Sequence, residues 1–348
     1  MYQISNESRI LIIRLRFLGD VLLTTPLLKA IKIKFPKSYI AYLAENNYTE
    51  VLQGNPFLDE IFSVKRKASL SETFKLVKNL RKNRFDLVID LFGNPRSAII
   101  TYLTGAKIRV GFNYPFRRKL YNLIVKDSSG KDAIDVYLNV LKNLGVETSN
   151  KDTYMEVSGE SEEFAENFFK INNIKKTDFI VGLNPGGSSF AKRWGINKYA
   201  GLGNKLMDKH NAKILIFEGY KEIGIAKEIL EYMGTVPFSF GKEGQSPLIA
   251  NNLTIKQLAS LIKRCSVFIT NDAGPMHVAA AVSTPTIAIF GPGEPDIWFP
   301  YTNKKKFSVI QKKLQCAPCN LDFCEKHTCM ELVTVEDVLG KIEYSIIN

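Results

Sequence analysis

Apolar and polar positions along this chain alternate between two periods. Arg9 to Leu15 is a β-type run. Gly19-Asp20 then opens a helical pattern through Leu22, Leu23, Leu27, Ala30 and Ile31 that stops before Pro36. Tyr39–Leu43 reads as another strand, and Phe85–Leu91 (F-D-L-V-I-D-L) as a third, apolar enough to be buried on both faces. Ile134–Leu144 is an amphipathic helix ending at Gly145. The polar stretch Ser158–Lys176, helical only around Phe164–Phe169, interrupts the pattern. The alternation restarts with strand Phe179–Leu183, turn Pro185-Gly186-Gly187, helix Tyr199–Met207, strand Ile214–Phe217 and helix Glu222–Tyr232. Alternation of this kind predicts an α/β protein with two Rossmann-like, doubly wound parallel-sheet domains facing a cleft. The expected boundaries are 1–158 and 177–330, with a hinge at 159–176 and a C-terminal helix in 331–348 that packs back toward the first domain.

The most informative stretch is Thr270–Phe290, T-N-D-A-G-P-M-H-V-A-A-A-V-S-T-P-T-I-A-I-F. An apolar run from Val267 to Ile269 stops at Asn-Asp-x-Gly, a small-residue helix begins, and Thr286–Phe290 forms a second β-type run. Strand, tight turn, helix, strand is the unit that places backbone N–H groups and helix-dipole charge at the carboxyl end of a parallel sheet, where a phosphate or ribose fits.

With 348 residues, 45% of them hydrophobic, the chain can bury one large core or two ordinary ones. No apolar run approaches the roughly 18 residues of a membrane span, and the first ten residues lack the pattern of a secretory signal. The expectation is a soluble, cytoplasmic protein. Its net charge of +12 is lopsided, because residues 1–158 carry 25 Lys and Arg against 15 Asp and Glu. An anionic partner is therefore expected at the first half. The basic clusters there are Lys65-Arg66-Lys67, Arg81-Lys82-Asn83-Arg84 and Arg117-Arg118-Lys119, the last among Tyr114, Phe116, Leu120 and Tyr121. Each is read either as a solvated helix face or as a contact for an anionic surface.

Four constellations carry candidate chemistry. Asp20, at a helix start after the first strand, suits a general base for a sugar hydroxyl, and equally an ordinary N-cap. Asn184 through Trp194 (N-P-G-G-S-S-F-A-K-R-W) combines Gly186, Gly187, the Ser188 and Ser189 hydroxyls, Lys192 and Arg193 in a phosphate cradle without Walker spacing. Asp272, Ala273, Gly274, Met276 and His277 form the third, with Glu222 as a further candidate for a ribose. His277 also fits a structural histidine. The fourth is Cys316, Cys319, Cys324 and Cys329, spaced C-x2-C-x4-C-x4-C, read as a structural zinc site, a redox-labile bridge or local packing.

Several separated segments, in order, resemble glycosyltransferase family 9, the bacterial lipopolysaccharide heptosyltransferases. They are R-I-L-I-I-R-L-R-F-L-G-D-V-L-L-T-T-P-L-L-K-A-I (9–31), R-V-G-F (109–112), L-N-P-G-G-S-S-F-A-K-R-W (183–194), T-N-D-A-G-P-M-H-V-A-A-A (270–281) and I-F-G-P-G-E-P-D-I-W-F-P-Y (289–301). The resemblance implies a GT-B fold and an inverting, metal-independent transfer of heptose from ADP-heptose to an inner-core acceptor, Kdo-lipid A or a heptosylated core, at the cytoplasmic face of the inner membrane. By position, Asp20 matches the base, and Lys192 with Ser188 and Ser189 the diphosphate loop. Glu222, Asp272, Ala273 and Gly274 match donor contacts. Gly19, Arg14, Arg16, Arg117 and Arg118 are the acceptor-side candidates. No cofactor is implied beyond the ADP-sugar substrate. Arg16-Phe17 departs from the family's small polar pair, Asp132 stands where a histidine is expected, and Ala273 offers no side-chain hydroxyl.

Two other readings keep the same fold: a glycosyltransferase for another nucleotide-sugar or surface-glycan acceptor, and a non-catalytic sugar-nucleotide-binding protein. A nicotinamide-dependent oxidoreductase is disfavoured, since neither first strand is followed by G-x-G-x-x-G. No nucleic-acid-binding motif appears.

Overall fold

The computed structural model describes residues 4–125, 132–220, 222–234, 246–301, 303 and 305–344. The chain divides into two compact units at Glu156/Val157. The first holds strands β1 (Arg9–Ile13), β2 (Tyr39–Glu45), β3 (Glu60–Val64), β4 (Leu87–Asp90), β5 (Ile108–Phe112) and β6 (Leu123–Val125). They form one six-stranded sheet in the order β3-β2-β1-β4-β5-β6, with parallel pairing throughout. The second holds β7 (Ile180–Asn184), β8 (Lys213–Phe217), β9 (Leu248–Ala250), β10 (Val267–Asn271), β11 (Thr286–Ile289) and β12 (Phe307–Ile310), in the order β12-β11-β10-β7-β8-β9. Numbered from its own first strand, this is the same doubly wound order, with the chain reversing direction between β1 and β4 and again between β7 and β10. The α/β expectation holds in both units.

Burial follows from the strand sequences. Ile10 to Ile13 of β1 and all of β4 and β10 are buried, as runs covered by helices on both faces must be. The first helical pattern is two helices, Leu18–Leu23 and Thr25–Lys34, where the sequence pattern predicts one. Pro26 is the cause: it has no N–H for the Leu22 carbonyl, and the Thr25 hydroxyl donates to that oxygen instead, at 2.7 Å. The polar segment 159–176, expected as a hinge, carries the helix Gly159–Ile171, which packs on the helix Ile255–Arg264 within the second unit. The C-terminal helix Val335–Ile342 buries Val338, Leu339 and Ile342 in that unit's core and lies on the helix Ile196–His210. Residues 345–348 of the expected terminal segment lie outside the described residues. No helix among the described residues is long and apolar enough to cross a membrane.

Candidate active site

In the first unit Asp20 sits in the opening turn of the helix after β1, at the strand-order reversal. It is not the N-cap; Phe17 is, and its N–H donates to Asp20 Oδ2 at 3.2 Å. Asp20 Oδ1 accepts from the Arg14 guanidinium, and the Tyr137 hydroxyl lies 3.4 Å from it. Arg14 also donates to the Leu91 carbonyl at 2.8 Å, with the Phe92 and Tyr137 rings 5.1 and 5.5 Å from the guanidinium. Burial opposes the charge on Arg14, but Tyr137, Asp20 and Tyr42 outweigh it and raise its pKa. A cation fixed on three sides holds the carboxylate in one orientation, which a base needs. Arg16 stands 3.9 Å from Glu45 Oε1, and Asp132 N-caps the helix Ala133–Lys142 through the Asp135 N–H.

The neighbouring strand supplies a residue the sequence reading passed over. Asp90 ends β4 fully buried; its Oδ1 accepts from the Phe92 and Gly93 N–H groups at 3.0 and 2.9 Å, and its Oδ2 from the Tyr121 hydroxyl at 2.7 Å. Asp90 therefore shapes the turn that presents the Leu91 carbonyl and the Phe92 ring to Arg14. Burial raises its pKa against these hydrogen bonds. Folding thus favours the protonated carboxyl, and stability is lost as pH rises from the usual carboxylate range through the raised value. The Tyr121 O–H favours the ionised form. Tyr121→Phe is accordingly expected to cost about 1–3 kcal/mol in urea unfolding, more at pH 8 than at pH 4. An equal cost at both would remove the carboxylate from the account.

In the second unit, the turn after β7 and the start of the helix after β10 are tied together. Asn271 Nδ2 donates to the Pro185 and Gly186 carbonyls at 2.8 and 3.0 Å. Its Oδ1 accepts from the Trp194 N–H and the Tyr199 hydroxyl, both at 3.1 Å. Arg193 donates to the Gly187 carbonyl at 3.1 Å and stands 3.8 Å from Glu222 Oε1. Glu222 is folded against the turn, so that a Cβ at Gly186 would lie 3.3 Å from its Cδ. Lys192 Nζ lies 2.6 Å from Asp272 Oδ2, an ion pair whose angle is not that of a hydrogen bond. Gly293 makes room for that carboxylate, since a Cβ there would meet Oδ2 at 2.6 Å. Ser188 is exposed, whereas the Ser189 hydroxyl is buried without a hydrogen-bond partner. Ala273 is the N-cap of the helix Gly274–Ala281 and offers no side-chain cap, so no side chain covers its first-turn amides. Pro275 has no N–H and the Met276 N–H donates to the Ala273 carbonyl at 3.1 Å, so the Gly274 N–H is the first-turn amide left for a ligand; with a buried hydroxyl and a lysine beside a glycine turn it fits an anion with several oxygens.

Other predicted residues fall elsewhere. Met276 is fully buried, part of the helix's packing rather than its ligand-facing end, and His277 Nδ1 bonds the Tyr301 hydroxyl at 2.8 Å inside the unit. Arg117 and Arg118 lie on a short 3-10 helix beyond β5, the Arg117 guanidinium 4.9 Å from the Tyr114 ring. The zinc expectation has no support: among the described residues no group of three His, Cys, Asp or Glu is placed to hold a metal. Cys316 and Cys319 are exposed while Cys329 is buried against the position of Gly291, and all the cysteines are free. The tail braces the phosphate turn instead. His327 Nε2 donates to the Ala191 carbonyl at 3.1 Å and stacks on Phe190, the Trp194 Nε1–H reaches the Val333 carbonyl at 2.9 Å, and Lys198 Nζ caps the Met330, Glu331 and Val333 carbonyls.

The two doubly wound units, one bearing a cation-held carboxylate and the other a glycine turn beside a lysine and a buried hydroxyl, make an α/β protein of two Rossmann-like domains. Residues 73–329 match the model of glycosyltransferase family 9 (heptosyltransferase). Lipopolysaccharide heptosyltransferase 3 of Escherichia coli is 28% identical over 300 residues, covering 83% of this chain and 85% of that protein. A glycosyltransferase family 9 structure from Veillonella parvula superposes with a TM-score of 0.89 at 26% identity, over 99% of both chains. The E. coli ADP-heptose lipopolysaccharide heptosyltransferase II superposes at 0.79 with 23% identity, over 97% of this chain and 98% of its own. The chain belongs to glycosyltransferase family 9, the heptosyltransferases, and is a glycosyltransferase of lipopolysaccharide biosynthesis.

Proposed function

We propose that the enzyme moves a heptose from ADP-heptose, with inversion and without a metal ion, to an anionic inner-core acceptor, Kdo-lipid A or its heptosylated form, at the cytoplasmic face of the inner membrane. Asp20 takes the proton of the acceptor hydroxyl. That oxygen bonds the anomeric carbon as the carbon–oxygen bond to the diphosphate breaks, and ADP departs with the negative charge. Lys192, the Ser188 and Ser189 hydroxyls and the Gly274 N–H stabilise that charge as it grows, as preorganised donors do. Asp272 and Glu222 are the candidates for the donor's hydroxyls, and Gly19, Arg14 and Arg16 stand on the acceptor side. ADP is the leaving group favoured by the likeness to the ADP-heptose enzyme.

The observation that carries this reading is the partnerless buried hydroxyl of Ser189 in the glycine turn that also bears Lys192 and Arg193. Ser189→Ala is expected to leave the melting temperature of the free protein unchanged, because it breaks no hydrogen bond. It should weaken ADP binding by about 1 kcal/mol, or roughly fivefold. The test is thermal shift and calorimetry against ADP, UDP, GDP and CDP, with and without EDTA. Stabilisation by ADP alone, indifferent to EDTA and reduced in the variant, supports the reading. Stabilisation by UDP in preference moves the donor to another nucleotide-sugar, and a response abolished by EDTA removes the metal-free mechanism.

A further inference from the structure

The three basic clusters of the first half are distant in sequence, yet the fold gathers them around one helix. Pro95–Leu103 follows β4, and its Arg96 Nη1 donates to the Lys65 and Arg66 carbonyls at 2.9 and 3.0 Å, anchoring the Lys65-Arg66-Lys67 loop. The 3-10 helix Arg117–Leu120 packs on the same helix, and the Arg81 guanidinium lies beside Gly105, just past its end. Its outward residues Ile99, Tyr102 and Leu103 are exposed. Phe116, 88% exposed, stands at the head of the Arg117–Leu120 turn. The adjoining helix Leu70–Lys82 adds a stripe at helical spacing, Leu70, Phe74, Lys78 and Arg81, in which Leu70 is 91% exposed. Segments 65–85 and 91–125 together hold fourteen Lys and Arg and a single acid, Glu72, which is paired with Lys65 at 2.8 Å. A solvated helix face mixes both signs of charge and keeps large apolar side chains covered; this face does neither.

We propose that this face docks the enzyme on an anionic lipid bilayer, with Ile99, Leu70, Phe74 and Phe116 entering the interface and the surrounding Lys and Arg against lipid phosphates. Apolar side chains within a cationic ring match a surface that is anionic outside and hydrocarbon just beneath, the pairing that holds peripheral proteins on membranes. Polyanions without an apolar layer, nucleic acid among them, leave the exposed aliphatic residues without a partner. The inference rests on the proposed reading only in that a lipid-borne acceptor places the enzyme at a bilayer; the docking itself needs no transfer.

The test is co-sedimentation with extruded vesicles of phosphatidylcholine, with and without phosphatidylglycerol, at low and high salt, with ADP-induced thermal stabilisation measured on every variant. The wild-type protein is expected on the anionic vesicles, released by salt. Arg117→Glu with Arg118→Glu should lower the partition at least tenfold and Phe116→Ser severalfold. Lys227→Glu with Lys313→Glu, the same charge change on the second unit, should leave it unaltered. Absence of preference for anionic vesicles, equal losses in the two charge-reversal pairs, or tighter binding to a double-stranded oligonucleotide overturns the docking face. ADP stabilisation without vesicle binding sinks this inference alone, and vesicle binding without ADP stabilisation sinks the proposed donor while leaving the face standing.

Discussion

Asp20→Asn is expected to lower turnover roughly a thousandfold, within the range a positioned base contributes, while ADP affinity stays unchanged. Asparagine retains an oxygen for Arg14 and Tyr137, so the helix start and its cation keep their places. What disappears is the ability to accept a proton. The guanidinium also fixes the carboxylate in place. What this supplies is orientation: one oxygen is committed to Arg14 and Tyr137, and the other, which accepts only a 3.2 Å contact from the Phe17 N–H, is left to meet the incoming hydroxyl. Single-turnover rates with saturating donor and acceptor, beside calorimetry with ADP, give the comparison. Turnover near the wild-type level would take Asp20 out of the base role.

Lys192→Ala has the second large effect, a loss of about 3 kcal/mol in transition-state stabilisation together with weaker ADP binding. Lys192 is paired with Asp272, which is largely buried. Removing the lysine therefore leaves a carboxylate without its cation, and stability falls for reasons unrelated to the donor. Lys192→Ala combined with Asp272→Asn separates the two effects. The double variant should regain most of the lost melting temperature, since no buried charge remains unmatched, and should regain none of the ADP affinity. Recovery of both would make the lysine a structural partner of Asp272 and no more.

The parts of the fold that were legible are those with the most apolar sequence. β1, β4, β7 and β10 are central strands buried on both faces, and such strands read as unbroken apolar runs. Edge strands carry no such mark: β6 is Leu-Ile-Val and β9 Leu-Ile-Ala, three residues each, too short to stand out from a loop. The helix Gly159–Ile171 shows in the sequence only around Phe164–Phe169, because acids fill its first turns, although its buried Ala165 and Phe169 lie four residues apart. In the site, the glycine turn, Lys192 and Asp272 announced themselves by residue type and position. The pairing of Lys192 with Asp272, and of Asn271 with the Pro185 and Gly186 carbonyls, depends on two strands meeting across some 80 residues of sequence, which no local pattern carries. Asp90 was read only as one letter of an apolar strand, and its work on the Phe92 turn shows only once Tyr121 is beside it. The cysteines left zinc, a redox-labile bridge and local packing open, because close spacing along a chain does not say whether the sulfurs share a ligand; among the described residues no metal-holding group is formed.

The brace behind the phosphate turn has a consequence for how this enzyme tolerates change. Phe190 to Trp194 are held by His327 and by carbonyls as far as 139 positions downstream, so the rigidity of the nucleotide grip is borrowed from the far end of the polypeptide. A nick or deletion between Asp322 and Val333 would spare both sheets and still loosen the grip. On the proposed function the terminal segment is thus a working component of substrate capture, and shortening the protein from that side is not a neutral trim.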